Sequence, residues 1–326
     1  MNKKVNDKLL TLAIIVISVA GLLYFGFLAI QENQQHSRDN PYEYDIEEFK
    51  KSGRDQLQYS ALDPIGLDLE SPQALALDRF DNIYIAGDRQ INRYDSTGNL
   101  SLTFEIPENA TALAVNDSGD LYLALLDHVE ILDSTGRVSN RWSGLGEAAY
   151  ITSIAIGEDV YIADAGQLVV WRFDVDGQLL NKIGEKDEGK GIQGFLIPSP
   201  YFDVAIDPDG YIWAVNTGRH QFENYYPDGG LRATWSKSSM TVEGFSGCCN
   251  PTHIAILPDG SFVTTEKGIA RVKLHNRIGE FVALVAGADQ FKEGTVGLDV
   301  AVDSYQRIVV LDPDRKLVLR FQKEVS

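Results

Sequence analysis

The chain has 326 residues, of which 44% are hydrophobic, so it is long enough for one large repeat domain or two ordinary domains. Its 29 basic and 47 acidic residues give a formal net charge of −18 at pH 7. This acidity argues against non-specific nucleic-acid binding, which needs lysine and arginine to displace the counterions of the phosphates. We therefore expect no nucleic-acid partner.

The first predicted element is a membrane anchor at residues 9–30. This run of 22 uncharged, mostly apolar residues is long enough to span a bilayer as a helix. It contains no cysteine that could carry a lipid, and its end lacks the small-x-small pattern of a cleaved signal peptide. The sequence therefore predicts an uncleaved signal anchor whose partner is the lipid bilayer.

The charges that flank this run predict its orientation. Lys3, Lys4 and Lys8 precede it, whereas the residues that follow it are polar and become acidic from Asp45 onward. Because positive flanks stay inside, residues 1–8 are predicted to be cytoplasmic and everything after Ile30 to be periplasmic or extracellular. Residues 31–54 are interpreted as a tether, and residues 55–326 as the exported domain.

That domain contains a repeat in which a short apolar segment is centred on an alanine. The spacing between successive copies is 38 to 50 residues, and each copy is followed by further short strand-like segments. In the first copy these segments are 74–77, 83–86, 91–94 and 100–106. A period of this length with four strands predicts an all-β, six-bladed β-propeller. The six central alanines are Ala76, Ala114, Ala155, Ala205, Ala255 and Ala301.

The last unit of the repeat is incomplete. It ends after its third strand, residues 317–321, and lacks an outer strand, whereas residues 55–62 precede the first unit and have no place in it. We expect this N-terminal strand to complete the last blade. Such a closure would hide two sheet edges and tie the ring shut.

Two of the units resemble NHL repeats. Residues 162–177 (IADAGQLVVWRFDVDG) and 215–229 (VNTGRHQFENYYPDG) are similar to the family pattern of an Asp or Asn, a glycine turn, an alternating strand and a closing Asp-Gly. The resemblance covers about residues 57–324 and implies a six-bladed propeller. It leaves function open, since NHL-type propellers include protein-binding and RNA-binding domains, sensor ectodomains and a few lyases. The first two units depart from the pattern at residues 87–90 and 125–128.

The blade numbering predicts which loops share the mouth of the central channel. In a propeller, the loop that enters the inner strand and the loop between the second and third strands lie on the same face. Residues 247–253 and 264–268 are these two loops in blade five, and residues 216–220 belong to the corresponding loop of blade four. Lys267, Arg271 and Lys273 also fit a solvated strand face. The candidate ligand-binding residues are Asn216, Arg219, His220, Glu266, Lys267 and Arg271.

Cys248 and Cys249 are the only cysteines in the chain. Outside the cytoplasm, such a pair could form a strained disulfide with a structural, ligand-holding or redox role, or remain two thiols in a tight loop. Alternatively, Cys249 and His253 could bind copper or zinc, with Glu266 or His220 completing the site. The residues leave these alternatives open, and no cofactor is assigned.

Three functions are compatible with this pattern. The preferred hypothesis is a membrane-tethered binding or scaffold module that holds a protein or small-molecule partner on its channel-mouth face. A metal-dependent lyase or lactonase, or a redox accessory that uses Cys248 and Cys249, are the alternatives. The chain carries neither a Gly-x-Ser-x-Gly elbow nor a His-Glu-x-x-His motif, so the sequence assigns no catalytic residue and favours a non-enzymatic role.

Overall fold

The computed structural model describes residues 53–324 and, before them, residues 16, 19–21 and 24, which are helical. No helix in this described part is long and apolar enough to cross a membrane. The predicted anchor at residues 9–30 and tether at 31–54 lie outside it, apart from the positions just given and residues 53 and 54. The strands belong to one compact unit, Glu47–Ser326.

Six antiparallel sheets form the described domain, and each contains four consecutive strand positions of the predicted repeat. The all-β, six-bladed propeller with four-stranded blades is therefore confirmed. In blade order the strands are β3 Pro72–Leu77, β4 Ile83–Gly87, β5 Gln90–Tyr94 and β6 Leu100–Glu105; β7 Ala112–Val115, β8 Leu121–Leu125, β9 His128–Leu132 and β10 Val138–Arg141; β11 Ile151–Ile156, β12 Val160–Asp164, β13 Val169–Phe173 and β14 Leu179–Ile183; β15 Val204–Ile206, β16 Ile212–Asn216, β17 Gln221–Tyr225 and β18 Leu231–Ser236; β19 Ile254–Ile256, β20 Phe262–Glu266, β21 Arg271–His275 and β22 Phe281–Ala286; and β23 Asp299–Val302, β24 Ile308–Asp312 and β25 Leu317–Lys323 with β1 Tyr59–Ala61.

Short connecting elements complete the domain. The two-residue strand β2, Ile65–Gly66, pairs with the start of β25. Within residues 53–324, four single-turn 3-10 helices lie in loops, at Arg54–Gln56, Glu188–Lys190, Thr217–Arg219 and Ala288–Gln290.

The hydrophobic core is divided among the interfaces between blades. There are six clusters of buried side chains in the described domain, and each joins the facing sheets of two adjacent blades. The inner strands pack side by side in a ring, and β23 of the last blade lies against β3 of the first. Both faces of each sheet are therefore covered, which explains why the second strand of every blade is buried along its whole length.

The ring is closed by the N-terminal strand, as the sequence predicts. β1 pairs antiparallel with β25, with Tyr59 opposite Lys323 and Ala61 opposite Phe321. Tyr59 is buried in the cluster between blades five and six. The backbone N–H of Gln58 also donates to the carbonyl of Leu284 in blade five, at 3.3 Å. The strand thus completes blade six and contacts the preceding blade.

The hairpin turns follow from an Asp and a Gly at fixed spacing. In the first blade, Asp95 Oδ1 accepts hydrogen bonds from the N–H groups of Thr97 and Asn99, at 2.9 and 3.0 Å. Gly98 has a φ of +98°, a conformation that favours glycine. The predicted turns that begin at Asp174 and Asp207 show the same arrangement, since each aspartate accepts from the N–H two and four residues later.

The closure predicts that Tyr59 contributes more to stability than its neighbour in β1. Tyr59→Ala should lower the free energy of unfolding by about 3 kcal/mol, because a buried aromatic ring is removed from the interface between two blades. Ser60→Ala, on the exposed side of the same strand, is the matched control and should change little. Denaturant unfolding of both variants checks this, and equal effects would contradict a closing role for β1.

Candidate functional site

The repeat brings six positions together near the mouth of the central channel. The residue two positions before each central alanine lies on the same side of the chain as that alanine, within the first three residues of the inner strand or just before it. In blades one and two this residue is an alanine, and in blade three a serine, whereas blades four to six carry ionisable groups. The six residues are Ala74, Ala112, Ser153, Asp203, His253 and Asp299.

His253 lies between the two aspartates of this set. Its Nδ1 is 3.5 Å from Asp203 Oδ2 and 3.6 Å from Asp299 Oδ1. Each carboxylate also accepts a backbone N–H from the next blade: Asp203 from Ile254, and Asp299 from Leu75, both at 2.7 Å. The aspartates therefore join blade four to five and blade six to one, and they hold the histidine between them.

This arrangement favours a charged imidazole. Burial alone would lower the pKa of His253, but the carboxylates of Asp299 and Asp203 outweigh burial and raise that pKa to about 9. Burial also raises the pKa of Asp299, and the positive charge of His253 opposes that rise. His253 is therefore a cation at neutral pH. Within the described residues 53–324, its Nε2 has no hydrogen-bond partner and is free to donate to a ligand.

A cavity of about 380 Å³ opens above this histidine. His253 and Thr152 also line a second, smaller cavity of about 120 Å³ among the inner strands. Aromatic rings and prolines form much of its wall, and His253 is the charged group in its lining. The principal lining residues are Pro72, Tyr150, Pro200, Tyr201, His253 and Pro313.

The cysteine loop lies beside this cavity. The Sγ atoms of Cys248 and Cys249 are 3.0 Å apart, and both are thiols. Lys267 Nζ donates to Ser199 Oγ at 3.2 Å and lies 4.7 Å from the centre of the Tyr201 ring. The Tyr201 ring also meets His253 edge-on, with the ring centres 6.1 Å apart. Tyr201 thus connects the cysteine loop to the channel mouth.

Three of the predicted ligand-binding residues are partly exposed on this face. Lys267 is one, in the loop between β20 and β21, and Arg219 and His220 lie in the loop between β16 and β17. His220 contacts the cysteine loop, because its Nε2 is 2.5 Å from the carbonyl oxygen of Gly247. The predicted proximity of the blade-four loop and the cysteine loop is therefore present in the structure.

The other three predicted ligand-binding residues have side chains that are buried within the blades, and their contact with a ligand stays a prediction. Asn216 is completely buried and holds a neighbouring loop, accepting the N–H of Leu196 at 2.9 Å and donating to Glu223 at 2.7 Å. Glu266 and Arg271 are each 1% exposed and bind each other, with Nε and Oε2 2.8 Å apart. None of the three lines the cavities around His253.

The interpretation of Arg271 and Lys273 as a solvated strand face is wrong. Lys273 Nζ lies 3.1 Å from Glu266 Oε2, donates to the carbonyl of Gly244, and stands over the Phe245 ring at 4.1 Å. Burial lowers the pKa of Lys273 to about 8, although Glu266 opposes that shift. The side chains lie in the interface with blade four, where the neighbouring blade excludes water.

The two predicted metal ligands serve different clusters. His253 Nδ1 faces the two aspartates, whereas Cys249 lies against Cys248, Ser199 and Lys267. Among the residues that the structure describes, no group of three or more His, Cys, Asp or Glu side chains could hold a metal ion. The copper or zinc hypothesis therefore has no ligand set in this part of the chain.

Asp203, Asp299 and Tyr201 are site residues that the sequence reasoning missed. The signal for the two aspartates was present, since both stand two residues before a central alanine, as His253 does. Comparing the repeats at that position would have placed all three side chains at one level of the channel. Tyr201 lies in the long loop before β15, where the repeat gives no register.

Comparison with known proteins supports the architecture. Neither a protein-family model nor a curated protein matches the sequence. Solved structures do match. A streptogramin B lyase matches with a TM-score of 0.58 and 10% sequence identity, over 82% of this chain and 98% of that chain. Selenomethionine-substituted virginiamycin B lyase from Staphylococcus aureus matches with a TM-score of 0.57 and 10% sequence identity, over 82% of this chain and 100% of that chain. A catalytically inactive histidine-to-alanine variant of the latter lyase, with Quinupristin, matches with a TM-score of 0.56 and 11% sequence identity, over 82% of this chain and 100% of that chain. At this identity the likeness shows the fold alone, and the NHL resemblance stays a prediction.

The buried ion cluster of blade five yields a stability prediction. Glu266→Gln should lower the free energy of unfolding by about 3 kcal/mol, because it leaves Arg271 and Lys273 buried without their carboxylate. Asp209→Asn is the matched control: it breaks the Arg277–Asp209 pair, whose side chains are 57% and 58% exposed, and should cost less than about 1 kcal/mol. Chemical denaturation of the two variants measures both, and a small effect for Glu266→Gln would contradict a structural role for the cluster.

Proposed function

We propose that this protein binds a small molecule or a short peptide segment in the cavity at the channel mouth. The cavity of about 380 Å³ falls within the size range of ligand pockets, roughly 300–1,000 Å³. Its lining combines aromatic and proline rings with one charged hydrogen-bond donor, His253, at the base of the cavity. In ligand pockets, apolar groups supply affinity and a few polar groups fix the orientation of the ligand. This is the observation that carries the proposal.

The chemistry of the floor indicates which group of the ligand would face it. His253 is protonated at neutral pH and its Nε2–H points to no partner in the described residues, so it can donate to a carbonyl or carboxylate oxygen. Tyr150 and Tyr201 offer ring faces and edges to an apolar or planar part of the same ligand. Lys267, Arg219 and His220 line the surrounding face and would contact a larger partner.

The location of the domain is also a proposal. The apolar run at residues 9–30, with lysines before it and a polar segment after it, supports an NHL-like propeller tethered to the outer side of a cytoplasmic membrane. Exposed Cys248 offers a test, since a membrane-impermeant maleimide should alkylate it in intact, mildly reduced cells. Labelling that requires lysis would contradict this orientation.

The binding site predicts a crosslinking pattern in the full-length, membrane-bound chain. A photo-crosslinking residue in place of Tyr150, at the mouth, should give a ligand adduct by mass spectrometry. The same residue in place of Tyr305 should give none, because Tyr305 lies in the turn between β23 and β24 on the opposite face. Tyr305 is the more exposed of the two, 75% against 38%, so accessibility alone would favour the control.

His253→Ala completes this experiment. In the Tyr150 background it should reduce the adduct severalfold, because the charged donor at the floor is lost while the apolar wall remains. Equal adducts from both positions, or an adduct that is insensitive to His253→Ala, would contradict binding in the cavity.

A lyase is the second candidate function. It is supported by the fold shared with the lyases, and by a histidine at the channel mouth, since a histidine-to-alanine variant of one of those lyases is catalytically inactive. The raised pKa of His253 suits a proton donor better than a base at neutral pH. Chromatography of quinupristin after incubation with the wild type and with His253→Ala tests this candidate. Consumption of quinupristin by the wild type alone would support a lyase function. If neither protein consumes quinupristin, the lyase candidate is contradicted.

A further inference from the structure

The two adjacent cysteines form a preorganised dithiol outside the channel cavity. Cys248 is exposed and Cys249 is 1% exposed, yet their Sγ atoms are only 3.0 Å apart. In an extended chain, consecutive side chains point to opposite sides, so this approach depends on the local turn of the loop. A disulfide bond is about 2.0 Å long, so a small movement would join the two sulfurs.

Asn250 holds the loop in this turn. Its side-chain amide donates to the carbonyl oxygens of Ser246 and Lys267, at 2.7 and 3.0 Å, and its Oδ1 accepts the N–H of Lys267 at 2.9 Å. Asn250 itself is 4% exposed. The cysteine loop is therefore fixed both to itself and to the loop between β20 and β21, which carries Lys267.

The surroundings make the two thiols unequal. Burial would raise the pKa of Cys249, but hydrogen bonds from Ser199 and Cys248 and the nearby ammonium of Lys267 outweigh burial and lower it. The hydrogen bond with Cys249 raises the pKa of Cys248. Cys249 therefore loses its proton more readily than Cys248, and a thiolate is a stronger nucleophile than a thiol.

We propose that Cys248 and Cys249 are a redox site that exchanges with an external disulfide, with Cys248 as the entry thiol and Cys249 as the resolving thiol. The exposed Cys248 sulfur loses its proton and attacks one sulfur of the external disulfide, which forms a mixed disulfide and releases the first thiolate. Cys249 then attacks the Cys248 sulfur, which forms the Cys248–Cys249 bond and releases the second thiolate. The dithiol loses two electrons and two protons, and the external disulfide becomes two thiols.

This site is independent of the proposed ligand-binding function, although it lies next to that cavity. Lys267 is a positioning residue for it, because its ammonium stabilises the Cys249 thiolate and does not itself react. The chain contains no third cysteine, so a mixed disulfide on Cys248 has no other resolving thiol within the same molecule.

Intact mass spectrometry of the reduced full-length chain with oxidised glutathione, quenched by alkylation, tests the assignment. The wild type should lose two hydrogen atoms, with at most a transient glutathione adduct. Cys249→Ser should stop at a stable adduct on Cys248, and Cys248→Ser should form adduct severalfold more slowly, because Cys249 is buried. Thermal unfolding should match among these variants, since serine is close to cysteine in size.

Lys267→Met should slow the conversion of the wild-type adduct to the disulfide severalfold. Lys237→Met, which removes a partly exposed lysine that follows β18 in blade four, is the charge control and should leave the rate unchanged. A stable glutathione adduct on the wild type, or equal adduct formation by Cys248→Ser and Cys249→Ser, would overturn the proposal.

Discussion

The crowding of six inner strands around one axis is the constraint on which the rest of this structure depends. A small side chain at one level of each strand lets the blades approach, and the central alanines provide it, because each belongs to or packs against a core cluster. Because the strands are then in the same register, residues two positions earlier also meet at one level. The repeat thereby places Asp203, His253 and Asp299, which are 50 and 46 residues apart in sequence, side by side at the channel mouth.

The same constraint explains where charge is tolerated. A blade of a propeller is covered on both faces by its neighbours, so an alternating strand need not have a solvated side. Lys273 and Arg271 are buried for this reason, and Glu266 between them makes their burial possible. Charge at the mouth is stabilised differently, by carboxylates that also hold backbone N–H groups of the adjacent blade.

Most of the architecture could be predicted from the sequence, because its signals are local and repeated. Six alanine-centred segments, the Asp and Gly of each turn, and the missing outer strand of the last unit predict six blades and their closure by residues near Tyr59. The site was predicted less well. The alternation of polar and apolar residues along β21 does not show whether a face of the strand contacts water or another blade. The sequence therefore gives no sign that Arg271 and Glu266 form a buried pair. The partners of His253 come from two other blades, and only their common position in the repeat relates them.

The channel mouth and the dithiol are two chemically different sites joined by Tyr201. One offers an imidazole whose pKa is raised beside a cavity lined by aromatic rings and prolines, and the other offers two adjacent thiols, with the ammonium of Lys267 lowering the pKa of Cys249. Both depend on loops that enter or connect the strands of blades four and five. The location of these loops follows from the blade order, whereas their chemistry follows from single residues.

The central claim is that the register of the repeat encloses His253 between carboxylates of the two neighbouring blades. Titration of the His253 imidazole by NMR tests this most directly. The account predicts a pKa near 9 in the wild type, and a lower pKa in Asp299→Asn, because that substitution removes one of the two carboxylates that raise the pKa. A pKa close to the ordinary value of about 6.5, unchanged by Asp299→Asn, would contradict it.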